Sequence, residues 1–180
     1  MTTARPTAVT IGLLFDYLYW ARDRMLGAAA TLGDAFAETP VVGTRDLRAT
    51  LAHEIDVEMS WRARLRGEPA EAWGAEAGIK PEHVPTVEAV RERWAIEEAA
   101  MRSWLAGLTP GDLEASISAN GLEGYSLSMY LLHVVEHGVM ELADAAAILA
   151  ATGRSTGDLG VLDALDDLAP TPRPGAPPSA

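Results

Sequence analysis

Histidine and carboxylate residues recur at helical spacing in one mostly apolar stretch of the chain. His133, His137, Glu141 and Asp144 stand at offsets of 0, 4, 8 and 11 residues. At about 100° per residue, their side chains would lie within about 80° of one another on an α-helix, so they form one stripe. Imidazoles and carboxylates are the ligands that divalent transition metals take in proteins. The spacing therefore predicts a metal site, to which His53 could add a ligand from another helix.

The spacing alone leaves the choice of ligands open. Side chains four residues apart on a helix are neighbours, so His133 with His137, or His137 with Glu141, could each hold one ion. With His53 as the third ligand, at least one coordination position would stay open, as it does in catalytic metal sites. A metal there could bind a thiol and lower its pKa, or it could activate water.

The alternative is that the stripe is the solvent-exposed face of an ordinary amphipathic helix, where histidines commonly have no function. The opposite face is apolar, with Leu131, Val135, Val139, Leu142 and Ala146. Two observations count against this alternative. Met129, Tyr130, Met140 and Ile148 share the polar wedge, which is unusual for a face in solvent. No lysine or arginine occurs between Arg102 and Arg154, although exposed faces usually mix both signs of charge. These observations favour a buried helix that carries a polar site.

His53 lies at the border of the apolar face of an earlier predicted helix. Glu54 and Glu58 project onto or beside that face, which is costly for carboxylates unless something pairs with them. A single histidine in such a position is more often a hydrogen-bonded structural residue. The spare ligands on the later helix strengthen its assignment to a metal site.

Apolar periodicity and capping residues predict an all-α protein, a four-helix bundle with long connections. The four long helices are predicted at 8–32, from an N-cap at Thr44 to Leu65, from an N-cap at Thr86 to Gly107, and from an N-cap at Ser126 to Gly153. Short helical pieces are expected at 70–77 and 161–168. We expect one domain over residues 1–168 and a disordered, proline-rich tail over 169–180.

Composition narrows the classes of function. The net charge of −12 repels phosphate backbones and anionic lipid, so nucleic-acid binding is not expected. The absence of cysteine removes disulfides and thiolate catalysis. No apolar run approaches the roughly 20 residues of a membrane span, and the N-terminus has no secretory pattern, so a cytoplasmic protein is expected. No Glu-x-x-His pair supports a di-iron site.

Several motifs together resemble the DinB-like (damage-inducible) family over about residues 10–165. They are the segment around His53, the Pro-Thr-Val motif at 85–87, Trp94 followed by Met-Arg-Ser-Trp at 101–104, and the His-Val-Val-Glu-His-Gly run at 133–138. The resemblance implies a four-helix bundle, often a homodimer, with nickel, zinc or a similar divalent ion near one end. Members with assigned activity include metal-dependent transferases of low-molecular-weight thiols such as bacillithiol and mycothiol, and a mycothiol-dependent isomerase.

The family's metal triad maps onto His53, His137 and Glu141, the last standing where the family has histidine. The next position, usually arginine, is Leu142, and His133 matches a common histidine outside the usual three ligands. Two histidines and a carboxylate suit zinc, iron or manganese and shift preference away from softer metals. The two departures also fit an alternative, a member that has lost its metal.

The resemblance implies a metal-dependent enzyme, most simply a thiol S-transferase acting on a small-molecule substrate. The basic residues include only one lysine, Lys80, and this arginine-rich usage is typical of GC-rich bacteria, so mycothiol would be the first cosubstrate to try. An alternative is a non-catalytic bundle that binds a small apolar ligand or a protein partner. Its pocket could be lined by Tyr17, Trp20, Trp61, Trp94 and Trp104. A hydrolase that uses metal-bound water is a further option.

Overall fold

The structure of the protein, a computed structural model, describes residues 6–122 and 124–169. Within these ranges the regular elements are all helical, and the only strand-like pairings are two isolated bridges. The α-helices are α1 (Ala8–Ala30), α2 (Leu47–Leu65), α3 (Val87–Ala106), α4 (Pro110–Glu114), α5 (Leu127–Ala151) and α6 (Val161–Leu168). The all-α prediction is confirmed. The predicted tail lies, from residue 170 onward, outside the described residues.

Side-chain caps fix where α1, α2 and α3 begin. The Thr86 hydroxyl accepts a hydrogen bond from the backbone N–H of Ala89 at the start of α3, as predicted. The predicted cap at Thr44 is wrong, because α2 begins after Asp46, whose carboxylate accepts from the backbone N–H of Ala49 at 2.7 Å. A bridge between Val42 and Arg45 holds the preceding residues in a turn, so the helix cannot start earlier.

Other boundaries shift by one or two residues. Helix α1 ends at Ala30 because Thr31 is its C-cap and Gly33 adopts a positive φ of 55°. Ser126 is the N-cap of α5, as predicted, although its side chain makes no capping hydrogen bond. The expected helical piece at 70–77 shortens to a 3₁₀ turn at Ala70–Ala72, and the piece at Val161–Leu168 is present as α6.

The four long helices α1, α2, α3 and α5 form the bundle. Helix α5 packs against both α1 and α2, and α3 covers the other side of this pair. Contacts between α2 and α5 pair later residues of α2 with earlier residues of α5, so the two helices run antiparallel. The centre of the bundle is filled by fully buried side chains, among them Phe15, Leu18, Ile55, Trp94 and Met101. This packed core fixes the spacing between α2 and α5, on which the polar residues lie.

The polar wedge of α5 is more open than predicted. Met129 and Met140 are 47% and 59% exposed, and Asp144 is also exposed. Tyr130 and Ile148 in the same wedge are buried, at 8% and 0% exposed. The prediction of a helix buried nearly all round is therefore correct for Tyr130 and Ile148 and wrong for the two methionines. Helix α5 packs against α1 and α2 on one side only, and the described residues leave the methionine edge in solvent.

None of the helices in the described part of the chain is both long enough and apolar enough to cross a bilayer.

Candidate metal centre

Three side chains from α2 and α5 converge at one point on the bundle. One ligand atom each of His53, His137 and Glu141 lies within 4.8 Å of the other two, the one such group of three found in the described residues. The Oε1 atom of Glu141 is 3.7 Å from Nε2 of His53 and 3.7 Å from Nε2 of His137. The two imidazole rings meet edge to face, with centroids 5.4 Å apart.

These distances fit a divalent ion. Ligands at about 2.0–2.1 Å from a tetrahedral zinc ion lie about 3.3 Å from one another, so small side-chain rotations would close the group around an ion. All three side chains are partly buried, with exposures of 31% for His53, 24% for His137 and 13% for Glu141. The centre is therefore sheltered by protein but still reachable from solvent.

Glu54 forms a hydrogen bond with Nδ1 of His137, the ring nitrogen that is not directed at Glu141 and His53. Its carboxylate Oε2 lies 2.8 Å from Nδ1 of His137, and its side chain is 1% exposed. A carboxylate in this position fixes the tautomer with the proton on Nδ1, which leaves Nε2 of His137 free to face Glu141 and His53. The sequence marks Glu54 only as a carboxylate that is costly to bury, and in the structure its partner is one of the candidate ligands.

Burial and pairing shift the pKa values of these groups. Burial raises the pKa of Glu54 to about 7, and its hydrogen bond to His137 only partly opposes this rise. The same hydrogen bond raises the pKa of His137. Burial, followed by the nearby Arg45 cation, lowers the pKa of His53, which keeps that imidazole in the neutral form that binds metals.

Arg45 is a charged neighbour that sequence reasoning did not identify. Its Nη1 atom donates to both oxygens of Glu141, at 3.2 Å from Oε1 and 3.1 Å from Oε2. It lies in the connection before α2, where the bridge to Val42 holds its backbone. No spacing or periodicity in the sequence pointed to this pair, because 96 residues separate Arg45 from Glu141.

Gly138 allows the close approach of α5 to its neighbours. A Cβ atom at this position would lie 2.7 Å from Oε1 of Glu54 and 2.8 Å from Cδ1 of Leu18. Both distances are too short for a side chain, so only glycine lets the Glu54 carboxylate sit against the α5 backbone. That Oε1 atom is buried and has no hydrogen-bond donor among the described residues.

The remaining residues of the predicted stripe lie apart from this group. The His133 side chain is 48% exposed, its ring centroid is 5.1 Å from that of Trp61, and its Nδ1 is 3.6 Å from the Glu136 carboxylate. Asp144 is exposed on the same helix. Of the two pairings left open by the spacing, the structure brings together His137 with Glu141.

A second buried carboxylate serves a different part of the bundle. Glu58 is fully buried and accepts hydrogen bonds from the Tyr19 hydroxyl and from Nε1 of Trp94, the latter at 2.9 Å. Burial raises its pKa to about 7. Because its partners lie on α1 and α3, Glu58 ties three helices together and does not face the candidate centre.

The fold and the site together define a class of protein. It is an all-α bundle with a candidate metal centre of two histidines and one carboxylate between two antiparallel helices. The chain belongs to the DinB superfamily, whose family model matches residues 17–145. The matched region contains His53, His137 and Glu141, and it confirms the resemblance seen in the sequence. A search of the curated proteins finds no match to the chain.

Proposed function

We propose that the protein is a metal-dependent enzyme in which His53, His137 and Glu141 hold one divalent ion that activates a low-molecular-weight thiol. The observation that carries the proposal is the convergence of three ligand atoms from α2 and α5. The carboxylate of Glu54 behind His137 supports it, because metal-binding histidines commonly donate their second ring N–H to such a group.

The chain's own residues prepare the centre for a cation. His53 is kept neutral by its surroundings, and Glu54 accepts the Nδ1 proton of His137 so that Nε2 points into the group. Glu141 brings the negative charge. A bound divalent ion would supply Lewis acidity that lowers the pKa of a thiol or a water. The N₂O donor set suits zinc, manganese or iron, and nickel belongs to the same proposal through the family.

The proposal also covers the kind of thiol, the reaction, the cell compartment and the oligomeric state. The thiol would be of the mycothiol or bacillithiol type. Its thiolate sulfur would form a C–S bond to a small-molecule electrophile, whose leaving group departs with the electron pair of the broken bond, and the thiol proton would pass to solvent or to a nearby base. We place the enzyme in the cytoplasm, where such thiols are available, and we expect a homodimer as in relatives. Neither nucleic acid nor membrane is a proposed partner.

One observation favours a second candidate function. Arg45 already neutralises Glu141, so the group can exist without a metal and the protein could be a non-catalytic bundle that binds a small apolar ligand or a protein partner. In that case the side-chain cation would have replaced the metal ion.

Metal content separates the two candidates. We would measure it by plasma mass spectrometry on untagged protein, before and after reconstitution with zinc, nickel, manganese and iron. The proposed enzyme binds one ion per chain and the His137→Ala variant binds none. His83→Ala is the matched control, because His83 lies outside the candidate centre in a 3₁₀ turn at Pro81–His83, where its Nδ1 atom accepts from the backbone N–H of Lys80. Absence of metal in every reconstituted sample would favour the non-catalytic bundle.

Metal-loaded protein then allows a direct test of thiol activation. We expect mycothiol or bacillithiol to raise the melting temperature of the loaded protein but not of the His137→Ala variant. A loaded protein that no low-molecular-weight thiol stabilises would contradict the thiol-transferase proposal while leaving the metal site intact.

A further inference from the structure

Aromatic rings continue from the candidate centre along the α2 and α5 surface. His133 lies one turn before His137 on α5, and its ring centroid is 5.1 Å from that of Trp61 on α2. Trp61 is followed by Tyr130, with centroids 5.7 Å apart, and Tyr130 by Tyr125 at 5.8 Å. We call Trp61, Tyr125, Tyr130 and His133 the aromatic surface.

The aromatic surface is open to solvent at several points. The Tyr125 residue is 62% exposed, nearly half of the His133 side chain is exposed, and Met129 beside them is also exposed. Trp61 is only partly buried, although it packs against the core. Tyr130, which joins Tyr125 to Trp61, is itself buried in the core, so the solvent-facing part of the series is the Trp61–His133 pair near the centre and Tyr125 beyond it. Exposed apolar surface beside a candidate site commonly marks a binding surface in soluble proteins.

Arg64 holds the Trp61 ring of the aromatic surface in place. The guanidinium of Arg64 lies 5.4 Å from the Trp61 centroid and 5.3 Å from the Trp73 centroid. The Nε atom of Arg64 also donates to the backbone carbonyl of Asn120 at 2.9 Å, which anchors the cation. A ring fixed in this way offers a ligand contact area that costs little conformational entropy on binding.

The distance between the candidate metal centre and the aromatic surface limits the length of a ligand that contacts both. At about 1.5 Å rise per residue, His133 lies about 6 Å along α5 from His137, and Trp61 lies about 12 Å along α2 from His53. A ligand atom at the centre would therefore need a spacer of about three or four atoms before a ring could lie against His133, whose own ring contacts Trp61.

We infer that the ligand of this site has two parts, a metal-binding head at His53, His137 and Glu141 and an aromatic group, on a short chain, that lies against the aromatic surface. This inference rests on the proposed function and adds to it the class of the small-molecule substrate, which is distinct from the mycothiol-type thiol because that thiol carries no aromatic group. The geometry that carries it is the unbroken ring series from Tyr125 to His133, which ends one helical turn from a candidate ligand. Aromatic groups pack well against tilted and edge-to-face rings of this kind.

The test uses cobalt(II)-loaded full-length protein, in which thiolate binding changes the visible spectrum. Three probes share one donor atom and differ only in the arm: 1-propanethiol, 3-phenylpropane-1-thiol and 3-cyclohexylpropane-1-thiol. We expect the phenyl thiol to bind about tenfold more tightly than 1-propanethiol and clearly more tightly than the cyclohexyl thiol. Trp61→Ala should reduce the phenyl preference to about twofold or less and leave 1-propanethiol binding unchanged.

Two further variants keep the test decisive. His133→Ala changes a half-exposed residue and should lower the phenyl preference even if Trp61→Ala does not fold. Trp73→Ala is the matched control, because Trp73 contacts the other side of Arg64 and lies outside the aromatic surface, so it should keep the preference.

The outcomes distinguish the inference from the proposed function. Equal affinity for the three thiols, equal affinity for the phenyl and cyclohexyl thiols, or a phenyl preference that survives in both Trp61→Ala and His133→Ala would overturn the aromatic ligand class alone. A loaded protein whose spectrum responds to none of the thiols would refute thiol activation itself, and with it the inference that depends on it.

Discussion

Glu54 is the residue through which the candidate centre depends on the bundle core. Its carboxylate is almost fully buried, it contacts His137 from behind, and its second oxygen lies against the α5 backbone at Gly138. A buried carboxylate without full pairing destabilises a fold, so its presence needs a compensating role. Orienting a metal-binding histidine, and balancing the charge of an ion, is such a role.

Glu54→Gln should therefore weaken metal binding by about tenfold or more, because the amide cannot supply the negative charge behind His137. Affinity would be measured by competition of zinc with a chromophoric chelator. Glu58→Gln is a close control, since Glu58 is equally buried one turn further along α2 but pairs with Tyr19 and Trp94. Equal affinity in Glu54→Gln and the unmodified protein would show that His137 needs no partner.

Arg45 competes with a metal ion for Glu141. Arg45→Ala removes a positive charge about 3.1 Å from the carboxylate, so we expect metal affinity to rise about tenfold at low ionic strength and less at high salt. The same chelator competition measures it, with Arg66→Ala as control because Arg66 pairs with Glu68 elsewhere. A fall in affinity would mean instead that Arg45 positions Glu141 for the ion.

At the scale of elements, the candidate centre needs α5 to approach α1 and α2 closely. Gly138→Ala places a methyl group 2.7 Å from Glu54 and 2.8 Å from Leu18, so we expect a loss of about 1–3 kcal/mol in the free energy of unfolding and weaker metal binding. Gly27→Ala is the matched control in an exposed part of α1, where the new methyl meets nothing within 4 Å.

The control variant should be more stable than the unmodified protein by about 0.5–1 kcal/mol, because alanine favours a helix over glycine. Urea unfolding of the metal-free proteins measures both changes. Equal stability of the two variants would indicate that α5 can move away from Glu54 without cost.

The helices could be predicted from the sequence because local chemistry determines them. The Thr86 hydroxyl caps α3 whatever packs around it, and the spacing of His137 and Glu141 needs only a helix. The start of α2 was missed because two candidate caps, Thr44 and Asp46, lie two residues apart, and the bridge at Arg45 decides between them. Spacing could not choose between His133 and Glu141 either, because that choice depends on where α2 lies.

At the scale of the whole molecule, α2 connects the candidate centre to the rest of the bundle. Glu54 reaches α5, and Glu58 reaches Tyr19 on α1 and Trp94 on α3. The sequence marked both carboxylates as costly, but their partners come from helices far away in the chain, which periodicity cannot pair. Arg45 was missed for the same reason, since 96 residues separate it from Glu141.

The buried Glu58 should make stability depend on pH in a direction opposite to that of a salt-bridged acid. Its pKa rises from 4.5 to about 7 in the folded state, so between these values the folded protein holds a proton that the unfolded chain has lost. The free energy of unfolding therefore falls as pH rises through this window, by about 3 kcal/mol from this group. Glu58→Gln removes the effect, because a neutral amide can accept from Trp94 and donate to the Tyr19 oxygen.

We expect Glu58→Gln to gain stability relative to the unmodified protein as pH rises from 5 to 8, measured by urea unfolding of the metal-free proteins at each pH. The comparison removes most of the contribution of Glu54, because burial is the first cause of its raised pKa and Glu54 stays in place in the variant. Glu92→Gln, at an exposed position on α3, controls for the loss of one negative charge from a chain of net charge −12. If the difference between Glu58→Gln and the unmodified protein does not change with pH, Glu58 stays ionised in the folded bundle. Its hydrogen bonds from Tyr19 and Trp94 would then outweigh the cost of its burial.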